Sequence, residues 1–85
     1  MNRESSEDFR NWLISSRNLH KRSAGDIISR RKKLIQYVKD PTILTMEQIK
    51  AQLEQEFVKG VVTKSTLSGM LRSEKLFRIF TESRI

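Results

Sequence analysis

The sequence predicts an all-α domain, a compact bundle of four helices, from three observations. Apolar residues recur three and four positions apart in four separate stretches. Capping and stop residues punctuate the gaps between those stretches. No segment alternates long enough to build a sheet, the best candidate being Val61-Val62-Thr63 at only three residues. With 85 residues there is room for a single core, so 1–85 reads as one helical domain. Its ordered core is expected over about 7–83.

The first helix is expected from Ser6 to Ser16. Ser6 serves as its N-cap, Glu7 and Asp8 suit the positive helix start, and Phe9, Trp12 and Leu13 share one face. The second starts at the cap Ser23 and continues to about Val38, with Ile27, Ile28, Leu34, Ile35 and Val38 on its apolar stripe. Asp40-Pro41 ends it, because a residue before proline avoids the α region. The third follows Thr45, where Thr45 and Gln48 form a capping-box pattern. Ile49, Leu53 and Phe57 make its seam, and Gly60 stops it. The fourth is capped by Thr63 or Ser65 and ends near Glu82, with Leu67, Met70, Leu71, Phe77 and Phe80 facing inward. Gly69 inside it costs about 1 kcal/mol against alanine. A glycine there suits close packing or the close approach of a phosphate backbone.

Composition removes most chemistry. The absence of cysteine excludes disulfides and thiolate sites and is compatible with a reducing compartment. The opening MNRESSEDFR has no apolar core of a signal peptide, and apolar runs as short as Leu13-Ile14 cannot span a bilayer. A cytoplasmic protein without membrane contact is the expectation. The single histidine, His20, lies in a loop among cations, with no partner that would make it a general base. No GxSxG is present, Glu54 and Glu56 cannot share a helix face, and the three glycines are too far apart to cradle a phosphate. No catalytic residue, metal ligand or cofactor is expected.

Charge is where the sequence becomes specific. Arg17, Lys21, Arg22, Arg30, Arg31, Lys32, Lys33 and Lys39 stand against the single acid Asp26, a surplus equal to the net +7 of the whole chain. Concentrated positive charge suits a polyphosphate partner. On the second helix Arg22, Asp26, Arg30 and Lys33 belong to a side away from the apolar stripe, while Arg31 lies nearer the stripe and is expected to snorkel from its edge. A second basic start, Lys64-Ser65-Thr66, leads a helix carrying Arg72, Lys75 and Arg78. Hydroxyls and amides at a helix start suit phosphate oxygens. A solvated basic face is the plain alternative, and the aromatic residues read as core rather than as base-stacking groups.

The order of these pieces resembles the N-terminal core-binding (SAM-like) domain of tyrosine recombinases and phage integrases. The resemblance is carried by Phe9-x-x-Trp12-Leu13, by Lys21-Arg22-Ser23 leading to Ser29-Arg30-Arg31-Lys32-Lys33-Leu34, by Leu44-Thr45-Met46-Glu47-Gln48-Ile49, and by Ser65-Thr66-Leu67 through Leu71 to Phe77 and Phe80. It covers about Asp8 to Ser83. Two positions depart from the pattern: Gly69 where a polar or basic residue is usual, and Glu74 where an apolar one is. The resemblance implies a SAM-like bundle that clamps one side of duplex DNA with its second and fourth helices, in DNA recombination or integration. The Arg, His-x-x-Arg and Tyr of the family's catalytic domain are not found here, and Tyr37 reads as a packing residue.

The expected DNA-binding residues are Lys21, Arg22, Ser23, Arg30, Lys33, Lys64, Ser65, Thr66 and Arg72. The expected partner is double-stranded DNA, held mainly through phosphates, with self-association on the DNA. Two alternatives stand beside this: a stand-alone DNA-binding regulator or phage accessory protein, and a helical protein-interaction module whose charge serves solubility.

Overall fold

The computed structural model describes residues 3–83, with side chains over 7–82. It contains α1 (Arg3–Ser16), α2 (Lys21–Tyr37), α3 (Met46–Val58) and α4 (Lys64–Ser83), with a 3-10 turn at Pro41–Ile43 between α2 and α3. No strand occurs among the described residues. The protein is therefore an all-α four-helix domain, with a radius of gyration of 12.7 Å. A compact chain of this length has about 12 Å.

Two predicted helix starts need correction, and a third is decided between its two candidates. The first helix begins at Arg3, so Ser6 lies inside it rather than capping it. The second begins at Lys21 with His20 in the cap position, its side chain making no capping bond. Ser23 is thus in the first turn. The fourth is capped by Thr63, whose Oγ1 accepts the Thr66 amide at 3.1 Å. Ser65 is not the cap. The common cause is that serines within a turn of a boundary offer the same hydroxyl signal, and sequence cannot say which backbone amides are left unpaired.

Other punctuation matches expectation. Thr45 and Gln48 exchange both capping-box bonds, at 3.1 and 2.9 Å. Gly60 has φ +80° and closes α3 with a Schellman motif, in which Val61 N–H reaches Glu56 O and Gly60 N–H reaches Phe57 O, both at 3.0 Å. Asn18 and Asp40 also take left-handed backbone, at φ 56° and 50°. Both residue types tolerate that region through their short polar side chains.

The core has two parts joined end to end by an antiparallel α2–α4 pair. Phe9 and Leu13 of α1, Ala24 and Ile27 of α2, and Leu76, Phe77 and Phe80 of α4 form one apolar cluster. Within it Phe9 and Phe77 meet edge to face, with ring centres 5.2 Å apart. Leu34 of α2 and Val38 just after it, Ile49 and Leu53 of α3, Val62, and Leu67 and Met70 of α4 form the other. Trp12 and Ile28 are half-buried against the first cluster.

Ile35 and Phe57, expected inside, are 40% and 44% exposed. On α2 the buried line runs through Ala24, Ile27, Arg31 and Leu34, which places Ile35 at its margin. On α3 a strict four-residue step drifts about 40° per step around a helix of 3.6 residues per turn. Two steps carry Phe57 away from the seam started by Ile49.

Candidate nucleic-acid interface

Between the two apolar clusters lies a polar layer. Arg31 is buried, not snorkelling: its Nε donates to Glu74 Oε1 at 2.9 Å, and its guanidinium carbon sits 3.5 Å from the centre of the Phe77 ring. The other carboxylate oxygen of Glu74 accepts from Arg78 Nε at 3.0 Å. Arg78 also donates to the carbonyls of Pro41, at 2.7 Å, and Leu44. Burial draws the Arg31 guanidinium below its ordinary pKa, and the Glu74 carboxylate acts against that. Among the described residues, no buried side-chain polar atom is left without a hydrogen bond. Arg31 is thus a structural cation withdrawn from the surface, and Arg78, part-buried, is held by bonds within the fold.

That leaves the outer surface of the α2–α4 pair. Arg22, Asp26, Arg30 and Lys33 are spaced by four, four and three, so the helix pitch aligns them on one exposed face. The row is about 16 Å long. Arg30 closes the distance to α4. A Cβ added to Gly69 would lie 2.8 Å from Arg30 Cδ and 2.9 Å from Nε, so the arginine stem lies directly over the glycine. The room at Gly69 is taken by Arg30 rather than left open for a phosphate backbone. Ser65 and Arg72, one turn to either side of Gly69 on α4, share that edge and are exposed.

The nine predicted residues therefore do not make one surface. Arg22, Ser23, Arg30 and Lys33 lie on the outward half of α2, and Ser65 and Arg72 on the adjoining edge of α4. Lys21 is two and a half turns from Arg30, hence on the opposite side of α2, where it lines a shallow pocket with Glu7, Arg10 and Ile14 of α1. Lys64 faces α3, in a groove with Lys50, Phe57 and Leu71. The Thr66 hydroxyl accepts from Thr63 Oγ1 at 2.9 Å and is half-buried within the helix start.

Sequence reasoning missed Glu74 as the acid that takes Arg31 out of the basic surface. A signal was present, since Met70, Glu74 and Phe77 follow a four-three apolar spacing in which an acid stands at a core position. Arg78, four residues on, marks a cation within its reach. No family model, curated protein or solved structure matches this chain.

Proposed function

We propose that this domain binds double-stranded DNA through phosphates, using the outer face of α2 and the adjoining edge of α4, in the manner of a recombinase-type core-binding domain. One observation carries the reading. Arg30 lying over Gly69 brings the basic row of α2 and the Ser65–Arg72 edge of α4 into a single exposed surface. Four cations, Arg22, Arg30, Lys33 and Arg72, then face one side against the single acid Asp26. The α2 row of about 16 Å matches the rise of about five base pairs. Phosphates along such a stretch receive charge from guanidinium forks and hydrogen bonds from hydroxyls, with little dependence on base identity. Assembly of several copies along the same duplex belongs to this reading.

Titration of a labelled duplex at several salt concentrations tests it. Four neutralised phosphates correspond to a slope of log K against log[salt] of about −3.6. Replacing Arg30, Lys33 and Arg72 together by Ala is expected to flatten the slope to about −1 while circular dichroism stays helical. A salt-independent affinity, or a triple variant that binds with the parental slope, rejects this surface.

A further inference from the structure

The opposite side of α4 carries a second, chemically different feature. Lys50, Glu54 and Phe57 stand in one row on α3, and Lys64, Leu67 and Leu71 stand in the facing row on α4. Between them runs a groove of about 450 Å³. Each row spans seven residue steps, about 10 Å or two helical turns. Its floor is apolar, since Leu67 is buried, Leu71 is half-buried and Phe57 is 44% exposed. At the end of α3 and just after it, Val58 and Val61 are also 83% and 51% exposed. These valines follow a stretch whose own core need is already met by Ile49 and Leu53. Packing among the described residues does not account for an aromatic ring and two valines turned outward at the end of α3 and in the turn after it.

We propose that the α3–α4 groove is a docking site for an acidic amphipathic helix of a partner protein. Its apolar side chains would lie on Phe57, Leu67 and Leu71, and its carboxylates beside Lys50 and Lys64. Charge complementarity selects this occupant. The two lysines stand on opposite walls of the groove, one from each helix, and among the described residues that line it Glu54 is the one acid. With a net charge of +7 over the chain, an acidic partner is attracted and a second copy is repelled. Two facing helical rows, each about 10 Å long, accept a helix anchored at i, i+3, i+4 and i+7. The groove lies away from the Arg30–Gly69 surface, so the two sites work independently and one molecule can join an acidic partner to DNA.

The test uses the whole chain and a fluorescein-labelled helical peptide of about 16 residues, with leucines at i, i+3, i+4 and i+7 and glutamates elsewhere, read by anisotropy. Saturable binding is expected, weakened at least about tenfold by Phe57→Ser and, separately, by Lys50→Glu with Lys64→Glu. The Arg30, Lys33 and Arg72 triple Ala variant is expected to weaken peptide binding less than Phe57→Ser does, through net charge alone, and Phe57→Ser to bind DNA like the parent. Failure of the peptide arm alone therefore leaves the DNA reading standing. The proposal is overturned by any of four results. These are absence of binding, equal binding of a peptide with serines for its leucines, or loss of binding in the triple variant with none in Phe57→Ser. The fourth is a dimer in sedimentation that Phe57→Ser abolishes, which would assign the groove to a second copy.

Discussion

Arg31 and Glu74 are where a single residue most changes the account of this protein. Desolvating both charges is costly, and their mutual attraction repays it only because the remaining polar atoms are also satisfied, by Arg78 on the other carboxylate oxygen and by the face of Phe77 under the guanidinium. Removing one partner leaves the other buried and unpaired. Glu74→Ala is therefore expected to lower stability by about 3–5 kcal/mol, read as a shift in the urea midpoint. Arg31→Met combined with Glu74→Met takes both charges away and is expected to recover most of that loss, because Arg78 is 28% exposed and can turn to water. A double variant as unstable as the single one contradicts this. Gly69 separates stability from binding. Its missing Cβ would meet the far end of the flexible Arg30 side chain, not backbone, so Arg30 can swing aside. Gly69→Ala should stabilise α4 by up to about 1 kcal/mol while displacing Arg30 and changing DNA affinity. A lower melting temperature would mean that α2 and α4 pack more tightly at this crossing than the arginine contact implies.

At the scale of the element, α4 has the most to explain, since it supplies residues to both apolar clusters, to the polar layer and to the basic edge. Its start is held by Thr63, which accepts the Thr66 amide and donates to the Thr66 hydroxyl. Thr63→Ala should cost about 1 kcal/mol. Ser65→Ala, inside the first turn, should be neutral or raise stability by a few tenths, about 0.5 kcal/mol at most. Thermal melts of the two variants distinguish the roles, and equal losses would return Ser65 to a capping role. The same pair separates capping from ligand contact: DNA affinity should respond to Ser65 more than its stability does.

For the whole molecule, the arrangement of two clusters on one long helix predicts a single unfolding transition. Phe77 touches the Phe9 and Phe80 rings and underlies Arg31, so it belongs to the first cluster and to the polar layer at once. Phe77→Ala should cost about 3–5 kcal/mol, against a total of about 5 kcal/mol or little more for a domain this small. The variant is expected to be largely unfolded at room temperature by circular dichroism. Parental melting behaviour would show that Phe77 is not packed in this way, and a two-step melt would show that the clusters do not depend on one another. Charge is also partitioned at this scale. The cations of α2 divide among the outer face, the interior and the α1 side, so net charge overstates what one ligand can meet.

The four helices were legible because periodicity, capping boxes and glycine stops are local, and a backbone a few residues long decides them. Thr45 with Gln48, Gly60, Ile27 with Leu34, and Ile49 with Leu53 could be read one helix at a time. Arg22, Arg30 and Lys33 were legible as one basic face for the same reason: their spacing is a property of α2 alone. The tertiary structure decided what depends on a second helix. It paired Arg31 with Glu74 across 43 positions, laid Arg30 over Gly69, and turned Lys64 and Phe57 into opposite walls of a groove. Helical spacing says which residues share a side of one cylinder. The rotation of each cylinder about its axis is set by packing against the others, and the roles of Arg31, Lys64 and Phe57 depend on that rotation.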